Sequence, residues 1–242
     1  RWTGSAWADV GGVITGSATG PPSIADIGGV AHIGWVDASS AHVEAFNGSA
    51  WSAVGSQVDD NGGPNPGEIT LTSLDGAPAA AWVEVDGSGV HLHAARRTGG
   101  SWADLGGAEV TTSVYHPNLA PSLAEIDGTP WIAWGGGAQA QVLQFDGDTW
   151  IPVGVPQRRN FLWTVGNVDV TAVGGVPHVS WRERGVPREY GFYASRLQDD
   201  ADTAQLRLSS ATYSTSEAAS GVDVTIQRTG GTAGAVSVRF TT

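Results

Sequence analysis

The sequence predicts an all-β protein built from one repeated unit. Three observations carry that prediction. Two tryptophan motifs recur in phase over four copies, glycine pairs punctuate the chain between short alternating segments, and no stretch combines helical periodicity with capping signals. The 242 residues include 35 Gly, 12 Pro and 11 Trp, with neither Cys nor Met. Such a composition suits many tight turns between short strands. It excludes disulfides, thiolate metal sites and cysteine nucleophiles.

The first motif is a glycine turn leading to a tryptophan. It reads Ile27-Gly28-Gly29-Val30 to Trp35, Leu74-Asp75-Gly76-Ala77 to Trp82, Ile126-Asp127-Gly128-Thr129 to Trp134, and Val173-Gly174-Gly175-Val176 to Trp181. The tryptophans follow one another at intervals of 47, 52 and 47 residues. The second motif places Trp7, Trp51, Trp102 and Trp150 after a glycine-bearing turn. Three residues later comes Val or Leu and then Gly: Val10-Gly11, Val54-Gly55, Leu105-Gly106 and Val153-Gly154.

Each unit resolves into four strands. The innermost are expected at 22–27, 68–74, 121–126 and 168–173. A two-residue Gly-Gly or Asp-Gly turn follows, the sequence signature of a tight hairpin, because glycine adopts positive φ without strain. The second strand alternates, with Ile33 and Trp35 on one side and His32 and Gly34 on the other. Third strands are expected at 42–46, 90–97, 141–145 and 192–197, and the fourth carries the second tryptophan. Four-stranded units of this length read as blades of a β-propeller. A lone blade leaves both faces bare, so the tryptophans are expected to form the core between blades. Each would bury roughly 150–250 Å², and Gly34, Ala81, Ala133 and Ser180 beside them leave room for a neighbour.

Residues 1–198 thus read as a four-bladed propeller of three whole units and one split unit. The outer strand at 7–10 is expected to pair with 192–197 and close the ring. The start at Arg1 and the absence of Met read as a processed or excised piece, and a fragment of a larger propeller with further blades upstream is the alternative. Beyond residue 198 the composition shifts to Ser, Thr, Ala and Gly with alternating Val. The run from Leu208 to Glu217, the alternation from Val222 to Arg228 with its Arg228-Thr229-Gly230-Gly231 loop, and the strand from Val236 to Thr242 resemble the opening of a Calx-beta domain. That resemblance covers 206–242 and implies the first part of an immunoglobulin-like β-sandwich in an extracellular protein. It also implies Ca²⁺ binding, with Glu217 the counterpart of one ligand. A Ca²⁺ site takes six to eight oxygens, so Glu217 by itself assigns no cofactor. An open sheet edge in 206–242 would favour self-association by strand donation.

Charge narrows the partners. The formal net charge is −12, and every basic residue is arginine. A field of that sign repels nucleic-acid backbones and anionic lipid, and no apolar run is long enough to cross a membrane as a helix. Short glycine turns fall on one face of the ring and the long connections on the other. Loops on a rigid scaffold are where ligands are usually bound. The candidates on that face are Asp59, Asp60, His116, Arg158, Arg159, Trp163, Arg182, Glu183 and Tyr190. Five of the arginines lie between 158 and 188, and guanidinium forks suit carboxylates. The cluster with Glu183 and Tyr190 is similar to the sialidase arrangement, but Phe145-Asp146-Gly147-Asp148-Thr149-Trp150 has the wrong Asp–Gly spacing for a sialidase box. The turn-and-tryptophan pattern also resembles that of propeller lectins. His91 and His93 share a strand face at a metal-compatible spacing, with no nearby carboxylate in sequence to complete a set. His32 and His178 occupy equivalent strand positions.

No catalytic motif emerges. The expectation is a non-catalytic recognition or structural module of a secreted or cell-surface protein, binding a glycan or a protein through its long-loop face, with no cofactor. One alternative is a polysaccharide-active glycoside hydrolase or lyase using loop carboxylates, for instance Asp59 or Asp60 with Glu183. The other is an assembly unit of a surface filament.

Overall fold

A computed structural model of the chain describes residues 1–14, 17–58, 66–87, 89–107, 109–110, 120–136, 139–154, 164–185, 190–197, 205–208 and 226–229. The chain divides into two compact units, Arg1–Arg196 and Leu197–Thr242. Every regular element among the described residues is a strand.

The first unit holds four antiparallel sheets. Strands β1 (Ser23–Ile27), β2 (Val30–Val36), β3 (Ala41–Phe46) and β4 (Trp51–Ala53) form sheet 1 in chain order. Sheet 2 comprises β5 (Pro66–Leu74), β6 (Ala77–Val85), β7 (Val90–Thr98) and β8 (Ser101–Asp104). Sheet 3 comprises β9 (Ser122–Ile126), β10 (Thr129–Gly136), β11 (Gln139–Phe145) and β12 (Trp150–Pro152). Sheet 4 has three strands, β13 (Thr164–Val173), β14 (Val176–Arg184) and β15 (Tyr190–Arg196). The predicted hairpins are present. Asp75-Gly76 and Asp127-Gly128 carry φ of 49° and 72°, and 50° and 75°. Positive φ at both central residues is the turn whose twist matches that of paired strands.

The core lies between sheets, as the tryptophan ladder predicts. Val36 and Val43 of sheet 1 cluster with Ile69, Trp82 and Trp102 of sheet 2. Val83 and Leu92 of sheet 2 cluster with Ile132, Trp134 and Trp150 of sheet 3, and Trp131 and Ala133 of sheet 3 with Val165, Val170 and Trp181 of sheet 4. Trp82, Trp134 and Trp181 therefore each face the preceding sheet. Gly34 shows why its neighbour must be small: a Cβ there would stand 3.3 Å from Ile69 Cδ1.

The second motif forms a set of clasps. Trp51 Nε1 donates to the Val10 carbonyl at 2.9 Å, Trp102 Nε1 to Val54 at 3.1 Å, and Trp150 Nε1 to Leu105 at 2.7 Å. The glycines after Val10 and Leu105 admit the ring. At Gly106, whose φ is +80°, a Cβ would lie 2.6 Å from Trp150 Cδ1.

Two expectations are corrected here. The ring-closing pair at 7–10 does not form. Ala8 N donates to the Arg1 carbonyl at 2.9 Å and Trp2 bridges Trp7, so the N-terminal segment folds on itself. A six-residue turn loses far less chain entropy than joining segments more than 180 residues apart. Trp7, expected in the core with Trp35, Trp51, Trp82, Trp102, Trp134, Trp150 and Trp181, is consequently 81% exposed and touches Trp2 edge-on at 5.7 Å. In the second unit, β16 (Gln205–Leu208) and β17 (Ile226–Thr229) form an antiparallel pair with Leu206 opposite Arg228. Glu217 lies outside the described residues.

Candidate active site

The ends of β2, β6, β10 and β14 distant from the tight turns carry one position of interest, two residues past each ladder tryptophan. It is Asp37 in sheet 1, Glu84 in sheet 2, Gly136 in sheet 3 and Glu183 in sheet 4. Alternation along an extended strand puts residues i and i+2 on one face, so Glu84 and Glu183 stand beside their tryptophans. Trp82 Nε1 donates to Glu84 Oε1 at 2.7 Å, and Trp181 Nε1 to Glu183 Oε1 at 2.9 Å. Both glutamates are buried, Glu183 with no exposed surface. Asp37 is one methylene shorter and turns elsewhere. Its Oδ1 accepts from Ser39 N, Ser39 Oγ and Ser40 N, and its Oδ2 lies 3.0 Å from His42 Nε2. Burial acts to raise the Asp37 carboxyl, but these donors outweigh it and hold the group below the ordinary aspartate value.

A ring lies against three of the four tryptophans from the strand position opposite, stacked at Trp35 and Trp82 and tilted at Trp181. His42 lies on Trp35 at 4.0 Å, His93 on Trp82 at 5.4 Å and Tyr193 on Trp181 at 5.7 Å. His93 Nε2 also approaches Glu84 Oε2 at 3.4 Å. His91 sits between two acids, with Nε2 3.0 Å from Asp86 Oδ1 and Nδ1 3.0 Å from Glu109 Oε1. Burial pushes this imidazole down, but the hydrogen bonds and charges of Asp86 and Glu109 more than offset it, leaving His91 above its ordinary value. His91 and His93 are thus strand histidines paired with carboxylates. The partners of His91 come from the β6–β7 connection and from a segment beyond β8, distances that sequence spacing does not show. Among the described residues, no group of three or more His, Asp or Glu is placed to hold a metal ion. His32 and His178 each direct Nδ1 to a backbone carbonyl, of Val30 and Val176, at 2.9 and 2.8 Å.

The two sheets with a buried glutamate share a further feature. Their innermost strands are longer and bulged next to the residue opposite the acid. The register shifts between Pro66 and Ile69 in β5, with Pro66 opposite Glu84, and between Gly166 and Asp169 in β13, with Val165 opposite Glu183. Asn167, inside the second bulge, has φ of 49°. Bulges re-aim side chains and are over-represented beside active sites. The glutamate ends of β6 and β14 are thus the places where the regular sheet is deliberately interrupted.

The sequence-predicted candidates divide. Asp59, Asp60, His116, Arg158, Arg159 and Trp163 lie outside the described residues. Arg182, Glu183 and Tyr190 are described but not brought together. Glu183 points into the core, whereas Arg182 and Tyr190 share the opposite face of sheet 4, with Arg182 Cζ 5.5 Å from the Tyr190 ring centre. Sequence reasoning passed over Glu84, although the recurrence of Trp-x-Glu at Trp82 and Trp181 signals it. Two described clefts, of about 570 and 200 Å³, lie at the other, tight-turn end of the sheets. One is lined by His32, Phe46 and Arg97, the other by Asp75, Arg96 and Glu125.

No protein-family model matches the chain, and no curated protein matches it by sequence. Solved structures do. An exo-1,5-α-L-arabinanase from a bovine ruminal metagenomic library is similar at 15% identity and TM-score 0.50, over 74% of this chain and 71% of that one. The Bacteroides ovatus xyloglucan PUL protein GH43B is similar at 16% identity and TM-score 0.50, over 75% and 39%. The lectin of Aleuria aurantia, a six-bladed β-propeller with a fucose recognition mode, is similar at 13% identity and TM-score 0.49, over 74% and 62%. The fold is that of β-propeller proteins. This corrects the expectation of a non-catalytic recognition module, because the first two structures sharing the fold belong to glycoside hydrolases.

Proposed function

We propose that the chain is a polysaccharide-active glycoside hydrolase that draws its carboxylates from the long-loop end of its sheets. The observation that carries this reading is the repeated tryptophan-x-acid position, occupied by Asp37, Glu84 and Glu183 at one end of three sheets and coupled to a bulge in two of them. Hydrolysis of a glycosidic bond takes two carboxyl groups. One protonates the leaving oxygen and the other acts on the sugar or on water. Asp37, held ionised by its donors, supplies a carboxylate of the second kind. Glu84 and Glu183 supply carboxyl groups oriented by an indole N–H. Asp59 and Asp60, on the connection from β4 to β5, are the further acids of this proposal, and His116, Arg158, Arg159 and Trp163 the proposed polysaccharide contacts.

The wider architecture belongs to the same reading. The first unit is read as four blades and residues 199–242 as the beginning of a Calx-beta-like sandwich, in a secreted or surface-borne protein. The test is sugar release from a panel of neutral and acidic plant and bacterial polysaccharides. Release by the unaltered chain is expected, with a loss of about a hundredfold or more in Glu183→Gln or Glu84→Gln, as removal of a general acid or base requires. A chain that releases nothing across the panel overturns the proposal.

A further inference from the structure

The outward faces of the sheets are not alike. In sheets 1 to 3 the face opposite the ladder tryptophan is small, apolar and covered by the next sheet. Val36, Val83 and Gly135 follow the tryptophan, and Ala41, Leu92 and Ala140 pair with them across the strand. In sheet 4 the corresponding residues are Arg182 and Phe192. The register places His178 opposite Arg196, Arg182 opposite Phe192, and Arg184 opposite Tyr190, so all six side chains project from one face. Phe192 is 79% exposed and Tyr190 50%. Arg184 and Arg196 are exposed as well, and Arg182 is half-buried, with its Nε buried and without a hydrogen-bond partner among the described residues.

Burying this face under another apolar sheet would strand several guanidinium groups away from water, each an uncompensated buried charge. Left bare, it exposes two aromatic rings side by side. A polar, anionic and ring-shaped partner satisfies both requirements. Guanidinium forks match carboxylates, and an exposed ring gives a flat apolar surface to the C–H face of a sugar. The one carboxylate among the described residues of this face, Asp169, is engaged: its Oδ1 accepts from Ser122 Oγ at 2.6 Å. We propose that the outward face of β13, β14 and β15 binds a uronate-bearing polysaccharide chain, with Phe192 and Tyr190 as the platform and Arg182, Arg184 and Arg196 as the carboxylate contacts. The surface lies across β14 from Glu183, so binding there requires no turnover.

The net charge of −12 makes the test sharp, since the molecule as a whole repels polyanions. The complete chain is run by affinity electrophoresis in gels containing polygalacturonate, fully methyl-esterified pectin or neutral arabinan. Polygalacturonate alone is expected to retard it, and the effect should vanish near 1 M NaCl, where screening reaches about 3 Å. Phe192→Ala and the double variant Arg182→Gln/Arg196→Gln should each weaken retardation about tenfold, with unchanged melting temperature. Equal retardation by the esterified or neutral polymer, or undiminished binding in both variants, overturns the proposal. So does a dimer in size-exclusion chromatography that Phe192→Asp dissociates, because a second copy then occupies the face. Binding of polygalacturonate with no sugar released from any polysaccharide would sink the hydrolase reading and leave this one standing.

Discussion

The indole N–H to glutamate bonds can be weighed by a comparison the repeat itself provides. Trp181 and Trp134 occupy the same position in adjacent sheets, and both are buried to within a few percent. Trp181 Nε1 donates to Glu183, while Trp134 Nε1 has no partner among the described residues, because the position two residues on is Gly136. Changing either to Phe removes the same ring volume and creates the same small void. Only Trp181→Phe also strips a donor from a buried carboxyl. Hydrogen bonds to charged groups contribute about 1.5–3 kcal/mol. The difference between the two variants should therefore be about 1.5–3 kcal/mol. For a unit of this size that corresponds to roughly 3–12 °C in Tm. Urea unfolding of both variants, followed by near-UV circular dichroism, measures it directly. Equal loss in the two would mean that the Trp181–Glu183 bond adds nothing, and that Glu183 is not held in place by its neighbour.

Three further outcomes follow from the same geometry. Gly106→Ala forces a side chain into left-handed backbone and against Trp150, and should cost about 2–4 kcal/mol, whereas Gly107→Ala, with φ of +98° but open space around it, should cost about 1 kcal/mol; chemical denaturation distinguishes them. The folded-state value of His91 is raised, so its contribution is complete below its unfolded value of about 6.5 and fades as pH rises through the folded one. Tm should thus decline from pH 6 towards pH 9, and His91→Gln should flatten that slope. Asp37 has the opposite sign. Its lowered value stabilises above an unfolded value of about 3.9, and the contribution disappears as pH falls through the folded one, a loss that Asp37→Asn should remove from an acid titration.

The architecture was legible because its determinants are local or periodic. Asp75-Gly76 and Asp127-Gly128 dictate their turns by φ alone, and the spacing of Trp35, Trp82, Trp134 and Trp181 marks the repeat whatever the intervening loops do. Ring closure was not legible. Pairing 7–10 with 192–197 depends on a balance between a long closure and the local turn at Thr3 to Ala6, and the local bond prevails. The site was half legible. Glu183 was found as a charged residue at a strand end, but its burial and its separation from Arg182 and Tyr190 follow from strand alternation, applied to a face whose neighbour only the structure identifies. Glu84 was missed for the converse reason. It lies on a strand rather than a loop, and a search confined to loops passes over acids that a bulge turns toward the same end.

Sheet 3 explains why that end is not uniform. At Gly135 a Cβ would stand 2.7 Å from the Val165 carbonyl oxygen and 3.3 Å from Gly166 Cα, so the end of β10 runs directly against the backbone of β13. No side chain fits there. The close approach falls immediately before the β13 bulge, at Val165, the residue that pairs with Glu183. The missing acid in sheet 3 and the buried acid in sheet 4 are therefore two sides of one arrangement: the glycine admits the bulged strand, and the bulged strand lines the glutamate. Gly135→Ala should then act at a distance. It should destabilise by about 1–3 kcal/mol, in the range of an overpacked core, and it should also reduce any sugar release that depends on Glu183, although Gly135 touches no acid. An unchanged rate together with a lowered Tm would separate the packing from the chemistry and show that the bulge does not position Glu183.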